Sequence, residues 1–186
     1  MTKLKNKRVA ILATNGFEES ELVSPMQALR DRGVEVHIIS EDTGEIKAWK
    51  EGNWSKAYKV DKAVKEVSAE DYHGLVLPGG VMNPDKLRRN GQAVTFVRDF
   101  FKQHKPVAAI CHAGWMLAEA DVLKGRKITS FPGIRTDMEN AGANWVDEAV
   151  VVDQGLVTSR TPADLDAFNA KVVEEVAEGK HEMQTV

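Results

Sequence analysis

Pro106-Val-Ala-Ala-Ile-Cys-His-Ala-Gly-Trp-Met-Leu-Ala-Glu119 carries the chain's one cysteine, Cys111, at the point where an apolar run meets a helix-like one. Pro106 to Ile110 reads as a buried strand, His112 to Glu119 as a helix, and the junction as a sharp turn. That reading places a sulfur at a helix N-terminus, where unpaired backbone N–H groups and the macrodipole favour a thiolate. A free cysteine is also among the most buried of residues, so a structural role competes with the reactive one. The small neighbours Ala109 and Ala113 favour the reactive reading, because a tight strand-to-helix elbow leaves little room beside its apex.

Working outward, the same alternation recurs. Val9-Ala-Ile-Leu-Ala13 reads as a first buried strand ending at Asn15-Gly16, and Leu22, Met26 and Leu29 follow at helical spacing until Gly33. Val34 to Ile39 gives a second strand, Gly74 to Leu77 a third before Pro78-Gly-Gly80, and Val94, Val97 and Phe101 mark another helix face. This order predicts an α/β fold with a mostly parallel, doubly wound sheet sandwiched by helices, binding ligands beyond the carboxyl ends of its strands. Thr43 to Val60 breaks the pattern and reads as a β-hairpin excursion, whose Trp49, Trp54 and Tyr58 suit apolar cover for a sheet edge or a subunit contact better than a substrate platform. Trp145 to Val152 and Leu156 to Thr158 read as two strands about the turn Asp153-Gln-Gly155. Thr161 reads as the cap of a last helix with Pro162 at its first position and Asp164 completing a capping box. The tail after Gly179 is expected to fray.

The 186 residues are expected to form a single domain over 1–186. With 42% hydrophobic and 28% charged residues the composition is that of an ordinary globule, and a net charge of -3 with interspersed signs offers no basic stripe for nucleic acid and no membrane anchor. One cysteine forms no internal disulfide, and the apolar run after the basic start is too short for a signal-peptide core, so a cytoplasmic location is expected. The five histidines show no close ligand spacing and there is no second cysteine, so no metal is expected.

Three segments end on one edge of the predicted sheet: Asn15-Gly-Phe-Glu18, Pro78-Gly-Gly80 and Cys111-His112. Gly79 and Gly80 can bring backbone N–H groups close to a developing oxyanion, or can simply turn the chain. Glu18 can face the thiol and shuttle a proton; equally, it is one of three acids, with Glu19 and Glu21, that a helix dipole favours in its first turns. His112 adjoins the cysteine, and neighbouring side chains are expected to diverge, which makes a direct imidazole–thiol pair awkward. Asp85 begins a short helix after the Gly-Gly turn, a position that capping explains.

Asn15-Gly-Phe-Glu-Glu-Ser-Glu-Leu22, Leu75 to Gly80, Pro106 to His112, Ala141 to Asp147 and Val157 to Leu165 together resemble the ThiJ/PfpI (DJ-one) superfamily, in its PfpI-like branch, over nearly the whole chain. The resemblance implies a flavodoxin-like fold of the class I glutamine amidotransferase type and a homodimer or larger homo-oligomer. It makes Cys111 the nucleophile, Glu18 its carboxyl partner, His112 the catalytic histidine, and the amides at Gly80 and His112 the oxyanion donors. Asp85 matches an acid that a neighbouring subunit can contribute, where some members have glutamate, and Ala113 stands where Gly followed by Pro is common. The implied activity is that of a cofactor-independent cysteine enzyme on reactive carbonyls, taking a small 2-oxoaldehyde or a glycated protein. A cysteine peptidase and a redox-sensing stress protein or chaperone are the alternatives.

Overall fold

In the computed structural model, which describes residues 4–186, β1 (Arg8–Leu12) and a two-residue β2 (Phe17–Glu18) lead into α1 (Glu19–Asp31). Then come β3 (Glu35–Ser40), the hairpin strands β4 (Gly44–Lys50) and β5 (Asn53–Val60), and β6 (Lys62–Ala63). β7 (Gly74–Leu77) passes through α2 (Met82–Leu87) and α3 (Gly91–Lys102) to β8 (Val107–Ile110) and α4 (Gly114–Glu119). The chain closes with β9 (Lys127–Ile128), α5 (Arg135–Asn140), β10 (Asn144–Trp145), β11 (Val150–Asp153), β12 (Leu156–Ser159) and α6 (Leu165–Glu178).

Seven strands form the central sheet in the order β11-β12-β8-β7-β1-β3-β6, parallel throughout except for β11 against β12. The two-residue period of a strand explains why both faces are covered. Val9 and Ile11 of β1, Val76 of β7 and Ala108 and Ile110 of β8 pack on the side of α1 and α6. Ala10 and Leu12, Leu75 and Leu77, and Val107 and Ala109 pack with α3 and α4 on the other. A buried parallel sheet therefore reads as continuous apolar runs. Each fully buried aliphatic side chain contributes about 1.5–3 kcal/mol. The architecture is the one the alternation predicts.

The chain leaves β1 toward β3 on one side and later fills β7 and β8 on the other, which opens a crevice beyond the carboxyl ends of β1 and β7. The predicted hairpin is present and antiparallel, and β2 hooks onto it, with Phe17 opposite Ala48 and Glu18 opposite Trp49. Trp49 is thereby drawn to the crevice, where it meets Trp54 edge-on at 5.3 Å.

Three expectations about the second half change. Trp145 does not open the β11 strand; it pairs with β9, and its indole N–H donates to Ser130 Oγ. Thr161 makes no side-chain cap, because Asp164 instead accepts both arms of Arg160 at 2.9 and 3.0 Å. The tail after Gly179 is docked: the His181 N–H donates to the His104 carbonyl, Arg126 to the Thr185 carbonyl, and fully buried Gln184 to the Lys105 carbonyl. Among the described residues no helix is long and apolar enough to cross a membrane.

Candidate active site

Cys111 follows the last residue of β8 with φ of 63° and opens a single 3-10 turn, Cys111–Ala113, ahead of α4. A left-handed φ costs an L-residue about 1–2 kcal/mol. The sharp reversal carries the sulfur to the wall of a cavity of about 430 Å³, which Glu21, His112, Trp49, Met82 and Pro162 also line. The cysteine is 8% exposed.

The expected divergence of Cys111 and His112 is not what the turn produces. The left-handed cysteine brings the two side chains together, with Sγ 3.2 Å from Nδ1. The imidazole is held by stacking on Phe131 at 4.6 Å and by the edge of Trp115 at 5.2 Å. Burial alone draws its pKa below the ordinary histidine value, so it is neutral near pH 7 and can take a proton from the sulfur.

The carboxyl partner is Glu21, not Glu18. In the first turn of α1, Glu21 is fully buried, and its Oε2 accepts the Gly79 N–H at 2.8 Å while the carboxyl group lies within reach of the sulfur. Its Oε1 is buried with no hydrogen-bond partner. Glu18 is the last residue of β2, and its carboxylate instead accepts the Ser20 hydroxyl at 3.4 Å. Glu18 lies ahead of the helix in β2 and stays at the rim, whereas Glu21, inside the first turn of α1, meets the Gly-Gly loop, so the tertiary approach of that loop rather than helical spacing selects the acid. Glu18 still lines the cavity, and desolvation raises its pKa.

Desolvation also pushes Glu21 up, to about 8, against the opposing Gly79 hydrogen bond. The thiol is pushed up as well, first by burial and then by the charge of an ionised Glu21, while the N–H groups of His112 and Gly80 favour the anion. The expectation of a freely acidic thiol is therefore corrected: α4 is only six residues long and begins beyond the 3-10 turn, so its dipole does not offset burial. The two groups titrate as a pair. Below about pH 8 the sulfur faces a carboxylic acid rather than a carboxylate, and the repulsive contribution is absent.

The other expected residues divide. Gly80, with φ of 77°, directs its N–H at the sulfur, and a Cβ there would sit 2.6 Å from the Gly16 carbonyl oxygen. Gly79 spends its N–H on Glu21 and so is not an oxyanion donor. A Cβ at Gly79 would lie 2.6 Å from Cys111 Cβ. Ala113 is not at the site: it is fully buried in the core cluster with Met116 and Leu117, because the 3-10 turn sends it to the face opposite Cys111. Asp85 is exposed on α2 and does not line the cavity. Asn83, two residues before it, is 1% exposed and hydrogen-bonds around the Gly-Gly loop, a role that no spacing signalled.

Among the described residues one group has metal-ligand character. Glu175, Glu178 and His181 bring three ligand atoms within 4.8 Å of one another, although the sequence suggested no such set. Glu175 Oε2 and His181 Nε2 lie 2.9 Å apart there, and neither residue lines the thiol cavity. The approach depends on the docked tail, which spacing did not reveal.

A family model described as the DJ-1/PfpI family matches residues 7–175. The chain is 45% identical over 169 residues to "Protein/nucleic acid deglycase 2" of Escherichia coli, covering 90% of this chain and 96% of that one. It is 43% identical over 164 residues to YraA of Bacillus subtilis, whose name marks it as a candidate cysteine protease, covering 88% and 95%. In structure it is similar, with a TM-score of 0.88 and 38% identity, to a two-domain Anabaena variabilis protein with DJ-1/ThiJ/PfpI-like and ferritin-like domains. The match covers 92% of this chain and 48% of that one, so this chain spans about half of its length.

Proposed function

We propose, because this chain belongs to the DJ-1/PfpI family and holds its cysteine between an imidazole and a buried acid, that it is a cysteine enzyme of the deglycase type acting on reactive carbonyls. The observation that carries this reading is the convergence of Cys111, His112 and Glu21 on one cavity beside the Gly80 N–H. The deglycase name of the 45% identical relative supports it.

The substrate in this reading is the early adduct of a 2-oxoaldehyde with a protein amine, R–NH–CH(OH)–CO–R′. The Cys111 thiol gives its proton to His112 Nδ1 as sulfur bonds to the carbinol carbon; the C–N bond breaks and the amine leaves with that proton. The resulting hemithioacetal carries its oxygen toward the N–H groups of Gly80 and His112. Glu21, in its ionised form, takes the proton from the carbinol carbon to give an enediol; the hydroxyl proton passes to the neighbouring oxygen and Glu21 returns its proton to the neighbouring carbon, which turns the hemithioacetal into a thioester of a 2-hydroxy acid. Water then cleaves the C–S bond, releasing the acid and restoring the thiol. A free 2-oxoaldehyde enters the same sequence at the hemithioacetal by addition of the thiol. Glu18 and Trp49 at the cavity wall contact the part of the substrate beyond the reacting carbons.

The test is release of free amine and 2-hydroxy acid from a methylglyoxal-treated peptide. Parent protein should release both, Cys111→Ser should lose at least about 10³-fold in kcat/KM, and Glu21→Gln about 10²–10⁴-fold. Release unchanged in Cys111→Ser overturns the mechanism.

A cysteine peptidase is the second reading, favoured by the 3.2 Å contact between sulfur and imidazole and by the name of YraA. Among the described residues no acid is bonded to His112, so in this reading exposed Asp85 of a second copy completes the set in a homo-oligomer. Hydrolysis of a denatured protein that requires Asp85 would favour it over the deglycase.

A further inference from the structure

We infer that Asn83 is a positioning residue that aims the Gly80 N–H at Cys111 by gripping the carbonyl immediately before it. The inference rests on the deglycase reading only for its turnover arm. Asn83 uses its whole side-chain amide: Oδ1 accepts the Thr14 N–H at 2.8 Å, and Nδ2 donates to the Pro78 carbonyl at 2.9 Å and the Gly79 carbonyl at 3.1 Å. All three bonds are buried, which makes each expensive to leave unmade.

The consequence comes from peptide geometry. The carbonyl of Gly79 and the N–H of Gly80 belong to one trans planar unit and point in opposite directions, so fixing the first fixes the second. Glycines at 79 and 80 leave the peptide plane with little steric resistance to rotation. Three contacts supply the missing restraint. Asn83 Nδ2 and, at 3.4 Å, the Glu18 N–H hold the Gly79 carbonyl, while Glu21 Oε2 holds the Gly79 N–H. The far end of Asn83 is anchored to the end of β1 through Thr14, whose hydroxyl bonds Glu41 and, through Glu41, Asn90. The loop that stabilises the anion on sulfur is thus tied to the strand on the opposite side of the crevice.

Asn83→Ala removes the grip without touching substrate or sulfur. Turnover at saturating substrate should fall about 10- to 100-fold while KM stays within twofold, because a misaimed donor is missed chiefly in the transition state. The pH midpoint for alkylation of Cys111 by iodoacetamide should also move up by half a unit or more, since the Gly80 N–H favours the thiolate. A folded Asn83→Ala protein in which either saturated turnover or the alkylation midpoint equals the parent's overturns the inference. If that variant does not fold, Asn83→Ser is judged by the same two criteria. In the parent, nuclear magnetic resonance should show a through-hydrogen-bond coupling between Asn83 Nδ2 and the Gly79 carbonyl carbon, and its absence also overturns the inference. Should the parent release no amine from a glycated peptide, the deglycase reading fails while alkylation and coupling still decide the role of Asn83.

Discussion

Cys111 is held in a backbone conformation that its side chain disfavours, and that cost secures the contact between Sγ and His112 Nδ1. The strain is measurable apart from the chemistry. Cys111→Gly and Cys111→Ala both remove the sulfur, but only glycine relaxes at φ of 63°, so the glycine variant is expected to be more stable than the alanine one by about 1 kcal/mol in urea unfolding. Equal stability would show that the turn stores nothing there. Gly79→Ala should fail for a different reason: its Cβ would lie 2.5 Å from Glu21 Oε2 and 2.7 Å from the Ile110 carbonyl oxygen. Backbone and a locked carboxyl group cannot both retreat. A changed alkylation rate at Cys111 together with a stability loss of about 1–3 kcal/mol is expected. At this scale the sequence identified the cysteine, because one sulfur at the end of an apolar run is conspicuous. It did not separate Glu18 from Glu21, because both fit the first turns of a helix and only the packing of α1 against the Gly-Gly loop buries one and leaves the other at the rim.

Strands β1, β7 and β8 were legible because burial on both faces demands unbroken apolar runs, and the hairpin was legible because its alternating charges break that rule. Short elements set by a single distant partner, such as β10 with Trp145, were not. The docked tail is the clearest case, since polar, glycine-flanked residues read as frayed until a partner surface is known. Removing residues 181–186 should leave the Lys105 carbonyl and the Arg126 guanidinium without their tail partners at the amino-terminal side of β8. A stability loss of about 2–4 kcal/mol is expected from the hydrogen bonds involved. The alkylation rate of Cys111 should stay within twofold of the parent's, because the thiol lies beyond the opposite end of β8. A truncated protein as stable as the parent would show that the tail does not dock in solution.

For the whole molecule, the buried acid makes folding pH-dependent. Glu21 holds its proton in the folded state up to about 8 but releases it near 4.5 when unfolded, so between those values the native state binds more protons. Its contribution is fully present below pH 4.5 and is lost as pH rises through about 8, at up to about 1.4 kcal/mol per pH unit. His73 and His112, both drawn down chiefly by burial, give the opposite slope as pH rises toward the ordinary histidine value. Comparing Glu21→Gln with the parent isolates the acid. The stability of the glutamine variant relative to the parent should rise steadily from pH 5 to pH 8 in urea unfolding, and a constant difference would refute a buried protonated Glu21. The sequence by itself determined the α/β alternation, the edge of the sheet where the loops gather and the cysteine that stands there, because apolar runs and turn residues act locally. Only the tertiary structure decided which acid meets the sulfur, that His112 turns toward it, that Asn83 grips the Gly-Gly loop and that Ala113 faces the core. Those outcomes depend on the directions in which side chains leave a 3-10 turn and a helix start, and on desolvation by segments distant in the chain.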